Sequence, residues 1–351
     1  MLDDKSAVMA TEFRFGSVGG ALAHGMRRKG WAVQEVDTRN FFTESEHLPA
    51  KIMGRLTRSL SVDAYNAAIC RTVERYKATV FVTVKGLDIR PATLEFLKRR
   101  GVTTVNYYPD VHFRHGGLDA AILPKFDLFF TTKSFHMAHL RTLLDPQRVF
   151  FLHHGYCDDL HYPQFPSVED ADYLADITYV GNHADYKEAW LGAIARRLPQ
   201  VKLFIVGYRW DTAKDPALRA RSLGYAITGD AYSRILQRSR INLAIHGGSF
   251  APEGWEDWVS TRTFEIPACK GFMLHIDNPE VRELFAADEE IGLFRDEDEM
   301  VAGIERYLAD PGLRGEMIER AFARCVPAYG YDARAASICA QIDRLRGPRA
   351  G

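Results

Sequence analysis

The chain has 351 residues, 46% hydrophobic and 26% charged, with 45 basic and 46 acidic side chains for a formal net charge of −1. That length suits two domains of ordinary size, and the composition is that of a globular rather than a disordered protein. Near-neutral charge excludes a global electrostatic attraction to nucleic acid, and no stretch approaches the roughly eighteen apolar residues of a membrane span. The amino-terminal residues lack a signal-peptide layout. Cys70, Cys157, Cys269, Cys325 and Cys339 are scattered, odd in number and without a C-x-x-C pair, so they read as reduced thiols in a cytoplasmic protein.

Ser6 to Ala10 is a short apolar strand, followed by a loop holding Gly16, Ser17, Gly19 and Gly20, a helix through ALAHGMRRKG, and a strand from Trp31 to Val36. The glycines do not fall as G-x-G-x-x-G, so this is not a dinucleotide fingerprint. Small residues there either let a ligand approach the backbone or form a tight turn before a helix. Residues 40–60 read as loop and short helix, Val62 to Tyr76 as an amphipathic helix, Thr79 to Val84 as a β-branched strand, and Pro91 to Arg100 as a helix. The strand Val102 to Tyr108 runs into Pro109-Asp110-Val111-His112-Phe113-Arg114-His115-Gly116-Gly117. An Asp110/His112 pair can take a proton from a hydroxyl. D-x-H could alternatively hold a metal, although its surroundings match no metal-site pattern, or the polar groups could bond the backbone.

Asp127 to Thr131 is a strand and Ser134 to Leu144 a helix, and Val149 to Leu152 leads to His153-His154-Gly155. Adjacent histidines on a strand point to opposite faces and cannot hold one ion together. Residues 161–176, rich in proline and acid, read as an interdomain linker. The expected domains are 1–165 and 176–330, with a terminal helix over 331–346. A second strand–glycine–helix opening follows in Asp176 to Val180, Gly181-Asn182-His183 and a helix carrying Lys187 early. Val201 to Val206 exits into Gly207-Tyr208-Arg209-Trp210, Ala231 to Ser239 is helical, Ile241 to Ile245 is a strand, and His246 to Ser260 is a Gly/Trp-rich loop.

From Ser260 onward short helices and strands alternate: Thr263 to Cys269 helical, Phe272 to Ile276 a strand, Asn278 to Phe285 helical, Ile291 to Phe294 a strand. Asp296 then caps a long helix, with Glu299 completing a capping box and Asp310-Pro311 stopping it. This alternation implies parallel strands joined by right-handed crossovers, an α/β class with doubly wound sheets. Ligands of such sheets sit where loops leave the carboxyl ends of the strands. The helix start at Arg262-Thr263, with Glu265 in its first turn, is therefore a candidate anion site. Asp296-Glu297-Asp298 mimics a D-x-D metal motif but caps a helix, and no metal site is expected. His275 reads as a satisfied interior histidine.

This stretch resembles the carboxyl-terminal domain of GT-B glycosyltransferases of the group 1 type, closest to the CgeB-like, spore-maturation branch. The residues that carry the resemblance are Arg262-Thr263-Phe264-Glu265-Ile266, Gly271-Phe272-Met273-Leu274, Glu283-Leu284-Phe285 with Glu290, and Asp296 to Met300. The resemblance implies two Rossmann-like domains facing a cleft, with the terminal helix crossing back to the first. It implies metal-independent, cofactor-free transfer of a sugar from a nucleotide sugar to a hydroxyl of a glycan, protein or small-molecule acceptor. Asp257 stands eight residues before Glu265, where retaining relatives often carry E-x7-E, which leans towards retention. On the same resemblance Glu265 binds ribose, Asp257 contacts the donor sugar, and Arg262 and Thr263 hold the diphosphate. Gly181, Asn182 and Lys187 open the donor domain, and Tyr208 and Arg209 border the base. Asp110 and His112 serve the acceptor, on the side of Gly16, Ser17, Gly19, His115 and His154. A nucleotide-sugar epimerase or hydrolase on the same fold, or a non-catalytic nucleotide-binding module, are the alternatives.

Overall fold

The computed structural model describes residues 5–42, 47–113, 118, 121–246, 249–250 and 255–347. The chain forms two compact units, Met1–His153 with Tyr331–Gly351, and His154–Gly330.

In the first unit β1 (Ser6–Thr11), β2 (Ala32–Asp37), β3 (Val80–Val84), β4 (Thr103–Tyr108), β5 (Leu128–Thr131) and β6 (Val149–Phe151) form one parallel sheet in the order β2-β1-β3-β4-β5-β6. β3, β4 and β5 are buried along their whole length, which is why, Asn106 of β4 apart, they read as apolar or β-branched runs. The crossovers include α1 (Val18–Arg28), α2 (Leu48–Tyr76), α3 (Pro91–Arg99) and α4 (His136–Leu143). Ser17 caps α1, its Oγ accepting from Gly20 N at 3.1 Å. Gly19 lies flush on β1, where a Cβ would come 2.2 Å from Thr11 Cγ2. α2 is a single helix of 29 residues, where the sequence suggested a loop and a shorter helix. Its first half leaves Ile52, Met53, Leu56 and Leu60 exposed, so no buried face imposes a helical period there.

The second unit carries β7 (Ala175–Val180), β8 (Leu203–Val206), β9 (Ser239–Ala244), a small antiparallel hairpin of β10 (Ser249–Phe250) and β11 (Trp255–Glu256), β12 (Met273–Ile276) and β13 (Gly292–Phe294). Its parallel sheet has the order β13-β12-β9-β7-β8. α5 (Asp185–Arg197), α6 (Pro216–Ala220), α7 (Asp230–Gln237), α8 (Arg262–Ala268), α9 (Pro279–Leu284), α10 (Glu297–Ala309) and α11 (Pro311–Cys325) complete it. Asp296 caps α10 as expected, accepting from Glu299 N at 2.9 Å, but Glu299 reaches back to Arg295 N rather than to the cap residue itself.

Residues 161–176, expected to be a linker, are laid along this unit. Gln237 Oε1 accepts from the N–H groups of Gln164 and Phe165 (2.8 and 3.0 Å), and Arg240 pairs with Asp170 and Asp176 at 2.8 Å each. The polar composition that suggested a free linker instead serves these contacts.

α12 (Tyr331–Arg346) returns to the first unit and packs on α1. Gly25 makes the close approach possible, because a Cβ there would lie 2.8 Å from Ala335 Cβ and 3.0 Å from Tyr331 O. Arg28 and Asp332 pair beside it at 2.7 Å. Gly25→Val should overpack this contact and cost about 1–3 kcal/mol, read as a lowered denaturation midpoint; a wild-type midpoint would show that α12 does not bear on α1 this closely.

Candidate anion-binding site

The second unit brings its strand exits together at one point. Gly207, at the end of β8, has φ +148°, and a Cβ there would lie 2.2 Å from Gly181 O at the end of β7. Only glycine lets the two exits meet. Gly181 N donates to Val206 O (2.8 Å), His183 N to Tyr208 O (3.0 Å), and Tyr208 N to Asn182 Oδ1 (3.0 Å). The buried Trp210 closes the arrangement, its indole N–H donating to Gly181 O at 2.8 Å.

Behind this turn stands Tyr179, fully buried on β7, with a hydroxyl that has no hydrogen-bond partner among the described residues. A Cβ on Gly181 would sit 2.5 Å from that hydroxyl. Over the tyrosine ring lie Lys187 Nζ, 5.9 Å from the centroid, and the Arg262 guanidinium carbon at 5.6 Å. Lys187 comes from the start of α5 and donates to Asn182 O at 2.9 Å. Arg262 comes from the start of α8, where its Nε also lacks a hydrogen-bond partner among the described residues. Burial, and then the charge of Arg262, push the Lys187 ammonium down to about 8, against the opposing influence of Asp257. Two neighbouring cations over an unsatisfied phenol, with Asp257 acting on Lys187 and Glu265 on Arg262, make this corner a candidate anion site.

The α8 start contributes through its side chains. Its first backbone N–H groups are taken up locally, Arg262 N by Ser260 Oγ (3.3 Å), Thr263 N by Ser260 O (3.2 Å) and Phe264 N by Thr261 O (2.9 Å). Thr263 is fully buried, and its hydroxyl turns inward to His275 Nε2 at 3.0 Å. His275 Nδ1 lies 2.6 Å from Ile276 O, and burial pushes this ring down to about 4. It is therefore neutral, donating through Nδ1 and accepting the threonine hydroxyl at Nε2. Glu265, one turn along, accepts from Tyr232 OH at 2.6 Å. Tyr208 and Arg209 are exposed on the β8 exit loop.

Next to this corner His183, Asp185 and Glu188 bring ligand atoms within 4.8 Å of one another. Glu188 is already committed, Oε2 to His183 at 2.8 Å and Oε1 to Asp215 N at 2.7 Å, and Asp185 pairs with Lys214 at 3.5 Å. The group braces the turn before α6.

In the first unit Asp110 forms an ion pair with Lys85 at 2.8 Å. The backbone of His112 is fixed by Tyr108 OH, which donates to His112 O at 2.6 Å. The buried His136, which the sequence did not single out, braces this loop from beneath: its Nδ1 lies 2.7 Å from Thr131 Oγ1 and its Nε2 2.8 Å from Val111 O. Burial pushes it down to about 3, so it acts as a neutral strut. His115 lies outside the described residues. Gly16 (φ +77°), Ser17 and Gly19 form the turn and cap of α1, and His154 is buried at the start of the second unit. Thus Gly181, Asn182, Lys187, Arg262 and Asp257 act on one corner, Thr263 lies beneath it, and Glu265 sits beside it. Tyr179 and Tyr232 escaped sequence reasoning because isolated aromatics on a strand or helix look like core, and His161 because it opens a segment that reads as a linker.

Two doubly wound parallel-sheet units with a cationic strand-exit site in the second define a GT-B fold. Residues 186–340 match the family model described as "Glycosyl transferase-like". Among solved structures, sucrose-phosphate synthase from Thermosynechococcus elongatus superposes with a TM-score of 0.68 at 16% identity, covering 97% of this chain and 99% of that one. A glycosyltransferase from Rickettsia africae superposes with 0.67 at 11% identity, covering 98% and 99%. Anabaena Alr3699/HepE, solved in complex with UDP, gives 0.61 at 12% identity, covering 96% and 99%. No curated protein sequence matches the chain. No helix among the described residues is long and apolar enough to cross a membrane.

The Lys187 titration gives this corner a pH signature. An anion needs the ammonium form, so affinity for inorganic pyrophosphate should hold below pH 8 and fall as pH rises through about 8. Calorimetry across pH 6–10 should show that decline, and Lys187→Met should weaken binding and flatten the profile. A wild-type profile flat to pH 10 would remove Lys187 from the site.

Proposed function

We propose that this protein is a glycosyltransferase that moves a sugar from a nucleoside-diphosphate sugar to an acceptor hydroxyl. The observation that carries the reading is the pairing of Lys187 and Arg262, both within the residues of glycosyl transferase-like sequence, over Tyr179 at the strand exits. Breaking the bond between the anomeric carbon and the diphosphate leaves negative charge on the departing oxygen, and preplaced cations stabilise it there. Those cations supply the charge that a divalent ion would otherwise provide, so the reaction is read as metal-independent; turnover abolished by EDTA would refute this.

The residue roles follow the same reading. Glu265 receives the ribose hydroxyls, and Asp257, whose charge reaches Lys187, lies beside the donor sugar with retention of configuration. Tyr208 and Arg209 border the base. Asp110, with His112 beside it, takes the proton of the acceptor hydroxyl as the new glycosidic bond forms. The transferred group is a hexose, the closest branch is the CgeB-like one, and the five free cysteines suit a cytoplasmic setting; cell fractionation would test the last.

A thermal-shift screen of UDP, GDP, ADP, CMP and dTDP sugars, followed by turnover with an acceptor panel, tests the whole. A donor that binds and is consumed only with an acceptor supports transfer, whereas consumption without acceptor would instead mark an epimerase or hydrolase. Glu265→Ala should weaken nucleotide binding at least about tenfold, the size of a hydrogen bond to a charged group, and unchanged affinity would end the ribose assignment. Asp110→Asn should lower turnover about 10²- to 10⁴-fold while sparing donor affinity, and full activity would free it of the base role.

A further inference from the structure

Glu265 is held by a specific set of neighbours. Oε2 accepts from Tyr232 OH at 2.6 Å, while Oε1 has His161 Nε2 at 3.8 Å, too far for a hydrogen bond. Tyr232 belongs to α7 and is buried; its ring meets that of His161 edge-on, with centroids 5.3 Å apart. His161 Nδ1 accepts from Cys157 N at 3.0 Å, which leaves the ring proton on Nε2, the atom facing the carboxylate. Burial lowers the histidine's proton affinity and holds the tyrosine phenol well above its ordinary range, so both neighbours are neutral at pH 7.

This arrangement differs from an ion pair. A carboxylate locked bidentately to an arginine has both oxygens spent. Here one phenol fixes the orientation through a single lone pair, and the second oxygen is approached but not bonded. One acceptor position on Oε2 and both on Oε1 stay open on a carboxylate whose orientation the phenol sets. Two adjacent hydroxyls match the two oxygens of such a carboxylate, whereas a single hydroxyl uses only one of them.

We propose that Tyr232, supported by His161, is a positioning residue that turns Glu265 towards the paired 2′ and 3′ hydroxyls of a ribose and so makes the site select ribonucleotides over 2′-deoxyribonucleotides. This rests on the reading of Glu265 as the ribose ligand. Tyr232→Phe keeps the ring that packs under the helix and removes only the hydroxyl that orients the carboxylate.

The test is calorimetric titration of the full chain with ADP, CDP, GDP and UDP, with the 2′-deoxy counterpart of the tightest binder, and with inorganic pyrophosphate. Wild type should prefer the ribonucleotide by about tenfold, and Tyr232→Phe should narrow this to within about threefold by weakening the ribonucleotide alone. Affinity for pyrophosphate should not change, a separation that general loosening of the fold would not produce. His161→Leu keeps the Tyr232 hydroxyl but removes the ring that packs edge-on against it, and should also narrow the preference, which keeps the question open to test if Tyr232→Phe fails to fold. If Glu265→Ala abolishes the preference while Tyr232→Phe and His161→Leu keep it, the positioning role is overturned and the ribose reading stands. If Glu265→Ala keeps the preference, or no nucleotide binds wild type, the ribose reading falls and this inference falls with it.

Discussion

The second unit depends on one backbone contact, the meeting of Gly207 with Gly181. A parallel sheet separates its strands by about 4.8 Å and lets the loops that leave them diverge. Here the two exits converge instead, because Gly207 carries no Cβ and adopts a conformation that side chains rarely allow. The hydrogen bonds from His183, Tyr208 and Trp210 all follow from that approach. It also presents Asn182 O to Lys187, and so decides where the ammonium stands.

On that frame the charges are arranged against their own repulsion. Lys187 and Arg262 would each be better hydrated in water, and instead they share the face of one buried aromatic ring. The tyrosine quadrupole relieves part of the cost and Asp257 another part. Glu265 acts on Arg262 in the same sense, and an anion placed at this corner would relieve the cost further. His275 does not disturb this balance. His275, sealed against Thr263 and Ile276, stays neutral and shapes the floor without adding a third charge.

How much of this was legible in the sequence follows from the range of each interaction. β3 (VFVTV) and β5 (LFFT) announce themselves because strands buried on both faces need apolar side chains at every position. Asp296 before α10 is equally readable, since a cap acts over three residues. The first half of α2 was not, because its apolar side chains face solvent and leave no period. The β10–β11 hairpin pairs two residues with two, too short to alternate visibly. In the candidate site, Lys187, Arg262 and Glu265 could be named from local pattern and resemblance, but their partners could not. Tyr232 meets Glu265 across 33 positions, and His161 lies further away still. Nor could the sequence tell that the Thr263 hydroxyl turns inward to a histidine twelve residues on.

The return of α12 gives the molecule an order of assembly. The first unit is written in two pieces, residues 1–153 and 331–351, with the entire second unit between them. During synthesis the six-stranded sheet and α1 emerge before the second unit, yet the surface around Gly25 lacks Ala335 until α12 has been made. Of the two units, the one that starts earlier in the chain is therefore completed only after the whole of the other has been made.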